Sequence, residues 1–376
     1  MIYFDNNATT AIDPKVYAKL CDVLKGNYGN ASSLYPLGVS SKQLIEDSRK
    51  KIASFIHADL DKGDKILFSS GATESNNSVF HSIFDFNTNN SHCIISSVEH
   101  PSVLNVASYY ELHGCNVTRI RVDHNGAIDI EQLIDSVSNN TKLVSIMLVN
   151  SETGVIHNVE QIVKEIRGIN PDILIHTDAV QAAGKIEIDV QKLDVDYLTL
   201  SGHKFHAPKG IGILYIKQGA PYNPFILGGH QEQGLRAGTE NAASIAALGQ
   251  AAVIAKQEIS EGTTQRIQAL RNYMEQRLKS IFQNCIIFGE EAPRVCNTTN
   301  IGFHSIDGTR LVLKLAQQGI YISSGTACNS MSAEPSKVLQ AMNAPKEYNR
   351  SIRISLSKYN TVFEIDHFLD CVKKII

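Results

Sequence analysis

Lys204 stands in the run LSGHKFHAPKG, between the apolar stretch VDYLTL and a tight turn, with Ser201, His203 and His206 as close neighbours. Most lysines are solvated surface charges. An amine held between a buried strand and a turn, beside a hydroxyl and imidazoles, is also suited to forming a Schiff base with a carbonyl compound. Asp178 ends another apolar run in ILIHTDAVQAAGK and is followed by Gln181. A carboxylate there either caps a helix or binds a protonated heteroaromatic nitrogen, as an electron-withdrawing ring requires. In SSGATESN the chain passes from a strand through Gly71, Ala72 and Thr73 into a helical pattern. Those N–H groups and the threonine hydroxyl serve either an ordinary helix start or a phosphate. His100 in SSVEHPSV occupies a further strand end, as a capping or core histidine or as a site residue. The glycine-rich LGGHQEQGLRAGTEN places Thr239 before a helix, either as a second phosphate contact or within a plain connector.

Cys328 lies in ISSGTACNSMSAEPS, a stretch of small residues without apolar periodicity. It separates LAQQGIYISS, read as a helix end and a strand, from EPSKVLQAM, read as a helix with Pro335 in its first turn. A connection of about a dozen residues is long for a compact domain. Gly325, Ala327 and the serines offer little packing to pin the thiol, which predicts a loop that changes place during function. The other cysteines, at 21, 93, 115, 285, 296 and 371, are expected to be small buried hydrophobes. The odd total and the lack of CxxC spacing argue against a disulfide framework or a zinc site, and fit a reducing cytosol.

The elements that must hold these groups follow from the apolar pattern. KILFSS, HCIISS, VTRIRV, KLVSIMLV and ILIHTDAV alternate with helix-period stretches, which predicts a mostly parallel sheet covered on both faces. VDYLTLSG and GIGILYI lie too close for a crossover helix, so they are expected to pair antiparallel. Each candidate group then falls at a strand end, where open α/β sheets bind ligands. Long helical patterns run from about 240 to 283, followed by the smaller unit of NTTNIGF, DGTRLVLKLAQQ, IYISS and SIRISL. The expected division is a large domain over 15–255 and a small one over 256–376, joined by an N-terminal arm, 1–14. The 376 residues carry a formal net charge of −3 with scattered basic residues, so nothing suggests nucleic acid. No apolar run is long enough to span a bilayer, and the N-terminus lacks a signal core.

YFDNNATT, GNASSLYPLG, SGATESNN, DAVQAAGK, SGHKFHAPKGIG, SSGTACNS and SIRISL together resemble the class V aminotransferase group of fold-type I pyridoxal-phosphate enzymes. Within that group the chain is most similar to cysteine desulfurases of the NifS/IscS kind. The lysine motif marks the superfamily, and the cysteine loop marks the desulfurases. The resemblance implies a homodimer that binds pyridoxal 5'-phosphate through Lys204, with Asp178 on the pyridine nitrogen and Gln181 on the phenolic oxygen. It implies that His100 stacks on the ring and helps move protons. Ala72, Thr73, Ser201 and His203 would hold the phosphate, joined by Thr239 of the neighbouring subunit. Asn150 and Arg353 would bind the substrate amino acid. Cys328 would take sulfur from L-cysteine as a persulfide, leaving L-alanine, and pass it to an acceptor protein such as an iron–sulfur scaffold. A selenocysteine lyase or related class V lyase or aminotransferase, and a non-catalytic sulfur carrier or scaffold on the same fold, stand as alternatives. Gln233, Ala237 and Ser151 depart from residues common in relatives at those places, and the chain ends at Ile376, soon after SIRISL.

Overall fold

The computed structural model describes residues 1–84, 88, 90–325 and 336–376. The arm opens with β1 (Ile2–Tyr3) and leads into helices α1 (Pro14–Gly26) and α2 (Pro36–Ile56). Next come β2 (Lys65–Ser69), α3 (Ala72–Phe84), β3 (His92–Ser96), α4 (Pro101–Leu112), β4 (Asn116–Ile120), α5 (Ile130–Ser136) and β5 (Thr141–Ser145). The series continues through α6 (Val159–Ile169), β6 (Leu174–Asp178), α7 (Val190–Leu193), β7 (Tyr197–Ser201), β8 (Gly212–Ile216) and α8 (Ala242–Ser260). The last part holds α9 (Thr263–Ile281), β9 (Cys285–Ile287), β10 (Thr298–Phe303), α10 (Gly308–Ala316), β11 (Ile320–Tyr321) and β12 (Ser323–Ser324). It closes with α11 (Lys337–Ala341), β13 (Ile352–Ser355) and α12 (Val362–Ile375).

Seven strands form one sheet in the order β2-β8-β7-β6-β5-β3-β4. Only β8 runs against its neighbours, pairing antiparallel with β7 and with β2. The short span between β7 and β8 permits nothing else. These strands are apolar at successive positions because both faces are covered. Along β8, Ile213 and Tyr215 face the core built with α1, α2, α6 and α8, while Leu214 and Ile216 face the core built with α3 and α4. The period of two thus serves two different cores.

A four-stranded sheet, β12-β13-β10-β9, carries a separate apolar cluster with α9, α10 and α12. Ile2 and Phe4 of the arm belong to that cluster, and β1 pairs parallel with β11, Ile2 facing Ile320. The buried apolar residues of α8, from Ile245 to Ala255, pack in the large-sheet core. Those of α9, Ile267, Leu270, Met274 and Leu278, pack in the second cluster. The helix expected to open with Pro335 begins at Lys337, and Ser336 caps it by accepting from Leu339 N. Pro335 itself lies outside the described residues, as do Cys328 and its loop from 326, and with them the expectation that this loop changes place. Cys93, Cys115, Cys296 and Cys371 are buried, but Cys21 and Cys285 are only half-buried because each sits where its element borders solvent. Among the described residues, no helix is long and apolar enough to cross a membrane.

Candidate active site

The chain leaves β7 at Ser201 and makes one 3-10 turn, Gly202–Lys204. Residue 202 must be small, since a Cβ there would come within 2.9 Å of Leu248 Cδ1 and 3.1 Å of Ala207 Cβ. His206 takes a left-handed φ of 68° and turns the backbone toward β8. The N-terminal arm clamps this turn. Thr10 donates to His203 O through both its N–H and its hydroxyl, at 3.0 Å each, and its hydroxyl accepts from His206 N at 2.8 Å. The Lys204 ammonium donates to Asn7 O at 2.6 Å and Ala8 O at 2.9 Å.

Asn7 is a hub that sequence reading missed as a site residue. Its carbonyl also accepts from Gln181 Nε2 at 3.0 Å, and its side-chain oxygen from Lys185 Nζ and Asn297 Nδ2 at 3.2 Å each. Its amide nitrogen donates to Thr298 Oγ1 at 2.9 Å, and its backbone N–H to Ser355 Oγ at 2.9 Å. One buried asparagine therefore joins the lysine turn to β10 and β13. The adjacent polar run DNNATT was its only signal, and it does not say which asparagine turns inward.

Asp178 sits at the end of β6 with both oxygens engaged, accepting from Val180 N at 3.0 Å and from Asn76 Nδ2 at 3.0 Å. His100 caps α4, with Nδ1 accepting from Ser102 N at 3.2 Å and lying 2.8 Å from Ser102 Oγ. Gln181 Oε1 accepts from Lys185 Nζ at 2.5 Å. At the head of α3, Gly71 meets Gly212 of β8 so closely that a Cβ on Gly212 would lie 2.7 Å from Gly71 Cα. Glu74 in the first turn accepts from Ser70 N at 2.9 Å and takes a two-pronged ion pair from Arg236, at 2.9 and 3.1 Å.

These groups converge on a cavity of about 510 Å³. Of the expected site residues, Ala72, Thr73, His100, Asp178, Gln181, Ser201, His203, Lys204 and Arg353 line it. Asn7, Ala8, Met147, Ser151, Lys209 and Gly210 line it as well. Arg353 reaches it from β13, donating to Asp5 Oδ1 at 2.9 Å, Ser151 O at 3.2 Å and Ser323 Oγ at 3.2 Å. Its Nε is buried without a partner among the described residues. Two expected residues are not brought in. Asn150 folds its own turn: Oδ1 accepts from Glu152 N, Thr153 N and Thr153 Oγ1 at 2.9 to 3.2 Å, and Nδ2 donates to Val98 O at 3.2 Å. Thr239 is exposed and away from this cavity. Cys328 lies outside the described residues.

Burial sets the charges. His203 is pushed down to about 4 by burial and by the cations Lys204 and Lys209, so it is neutral at pH 7. His100 is lowered by burial and by Lys204, against the pull of Asp178. Lys185 falls to about 7, chiefly through burial, with Cys296 opposing and the cations Lys204 and Arg353 adding to the fall. Glu99, beside His100 in the chain, rises to about 8 because burial and Asp178 outweigh its bonds from Ser96 and Met147 N.

The donor set fits pyridoxal phosphate. The first-turn N–H groups of α3 and the hydroxyls of Thr73 and Ser201 suit a phosphate. Among the described residues Asp178 accepts from N–H donors, as a carboxylate under a pyridinium would. The Lys204 amine lines the same cavity, whose volume suits a small-molecule ligand.

The family described as aminotransferase class-V matches residues 2–368. A cysteine desulfurase of Trichormus azollae is 40% identical over 377 aligned positions, covering 100% of this chain and 93% of that protein. A NifS-like protein of known structure superposes with a TM-score of 0.92 at 36% identity, over 100% of this chain and 98% of that one. A second solved structure, SspA in complex with cysteine, gives a TM-score of 0.82 at 31% identity over 96% and 100% of the two chains.

Proposed function

The chain belongs to the aminotransferase class-V family, and from that premise we infer that it is a pyridoxal-phosphate-dependent cysteine desulfurase. It converts L-cysteine to L-alanine and carries the released sulfur as a persulfide on Cys328. The observation that carries this reading is the convergence of Lys204, Asp178, the head of α3 and Arg353 on one cavity. The names of the relatives favour it over a selenocysteine lyase or a non-catalytic carrier.

Ala72, Thr73, Ser201 and His203 would hold the phosphate, and Asp178 would keep the ring nitrogen protonated. Gln181 would bond the phenolic oxygen, with its amide already oriented by Lys185 and Asn7 O. When bound, the cofactor supplies an electron sink that makes the substrate α-proton and then its carbon–sulfur bond labile. Lys204 would attach the cofactor and, once displaced by substrate, accept the α-proton. The arm carbonyls beside its Nζ would keep the freed amine in place. Arg353 would take the substrate carboxylate, and its unpartnered Nε edge leaves a donor for that purpose. Asn150, as described here, would act on the substrate only through the turn it stabilises. The Cys328 thiolate would attack the substrate sulfur as the carbon–sulfur bond breaks, and the three-carbon remainder would take up a proton to leave as alanine.

We place the enzyme in the cytoplasm as a homodimer, with Thr239 of one copy serving the phosphate of the other. The exposure of Thr239 away from its own cavity supports this, as does the absence of any disulfide among the described cysteines. The sulfur acceptor would be a protein, such as an iron–sulfur scaffold.

The test is to mix purified protein with pyridoxal phosphate and L-cysteine and follow absorbance and alanine. Parent enzyme should be yellow, bleach with borohydride and form alanine, while Lys204→Ala should lose the borohydride-fixed chromophore. Alanine formation at the parent rate by Cys328→Ala would overturn the persulfide role. A protein that gains no absorbance on adding the cofactor would overturn the enzyme reading.

A further inference from the structure

Asn76 is fully buried in the first turns of α3 and does not line the site cavity. Its Nδ2 donates to two partners, Asp178 Oδ2 at 3.0 Å and Ser102 Oγ at 2.8 Å, while its Oδ1 is buried without a partner among the described residues. An amide that gives up its acceptor to use both donor hydrogens is held by the donor side. Rotating it by half a turn would press Oδ1 against the Asp178 carboxylate, so this orientation is fixed by charge. Ser102 Oγ must then accept from Asn76, which leaves the serine's own hydrogen free to donate. Its nearest acceptor is His100 Nδ1, 2.8 Å away. The Ser102 backbone N–H donates to the same nitrogen at 3.2 Å. Two donors converge on Nδ1, and a proton there would face both.

We propose that Asn76 and Ser102 are positioning residues that carry the hydrogen-bond orientation set by Asp178 to His100 and fix its neutral ring with the proton on Nε2. The edge opposite the nitrogen that caps α4 is then an N–H, on a ring that lines the cavity. His100 meets substrate as a donor, able to stabilise or supply a proton, and not as a base at Nε2. An ordinary helix cap accounts for the backbone bond to Nδ1 but not for a buried asparagine spanning Asp178 and Ser102.

The chemical use of this tautomer rests on the desulfurase reading, but the tautomer does not, so the test is made by spectroscopy on protein without cofactor or substrate. Protein with 15N-labelled histidine rings is compared with His100→Gln to assign the His100 signals. The expected spectrum near neutral pH is that of a ring protonated at Nε2 alone; a ring protonated at Nδ1 overturns the proposal. Ser102→Ala and Asn76→Leu should each raise the minor tautomer roughly two- to ten-fold, the worth of one net hydrogen bond. An unchanged ratio in both folded variants overturns the relay and leaves the backbone N–H as the sole determinant. In the loaded enzyme, His100→Gln keeps an N–H donor and should retain part of the desulfurase activity that His100→Ala loses; equal loss in both folded variants would count against the donor role. An inactive parent with the Nε2 tautomer would refute the desulfurase reading alone.

Discussion

Glu99 shows how a buried side chain can tie stability to pH. In the folded chain its carboxyl keeps a proton up to about pH 8, whereas unfolded it ionises near 4.5, so the folded state holds the extra proton across that window. Stability of the parent should therefore be full below that range and fall as pH rises through it, by up to about 1.4 kcal/mol per unit. Glu99→Gln cannot ionise and escapes this loss. In urea titrations, the midpoint of the variant relative to the parent should climb with pH and level off above about pH 8; a gap that stays constant would show that Glu99 ionises freely when folded. At this scale the sequence was partly legible. Lys204, Asp178 and His100 stood out because a charged or titratable residue at the end of an apolar strand is conspicuous. Asn7 and Asn76 did not, because neutral amides that work through tertiary hydrogen bonds leave no local pattern. Asn150 was expected from the resemblance alone, and its side chain closes a turn on its own backbone.

Among the elements, α3 depends most closely on a neighbouring strand. Gly71 and Gly212 let the head of the helix lie directly on β8, and a methyl on Gly212 would also meet Leu200 O at 2.9 Å. Gly212→Ala should displace the first turn of α3 and cost about 1–3 kcal/mol, as overpacking does. It should also weaken binding of pyridoxal phosphate, read from absorbance titration of the cofactor-free protein, more than it weakens folding. Equal binding by variant and parent would mean that the helix head does not carry the phosphate. The alternation of strands and helices that sets this geometry was readable, since five-residue apolar runs and amphipathic helices have distinct periods. The strand expected at IYISS is present but split into β11 and β12; neither that split nor β1 was readable, because two residues show no period at all.

For the molecule as a whole, the arm is what makes two cores into one site. Phe4 is fully buried and packs edge-on to Phe368, ring centroids 5.8 Å apart. Three residues on, Asn7 holds Lys204 and Gln181. Phe4→Ala should cost about 3–5 kcal/mol by urea denaturation. Activity should fall more than the folded fraction does, because the freed arm no longer presents its carbonyls to Lys204. A variant that retains parental activity per folded molecule would show that Asn7 is held without its anchor. The arm's seat has a further consequence during synthesis. Ile2 waits for Ile320, and Asn7 waits for Thr298 and Ser355, so the arm leaves the ribosome about three hundred residues ahead of its partners. At about 5–20 residues per second, the lysine turn exists for several seconds before its clamp can close. A nascent chain halted before β13 would carry the reactive amine without the carbonyls that restrain it. Restraint of the lysine is thereby linked to the synthesis of β13.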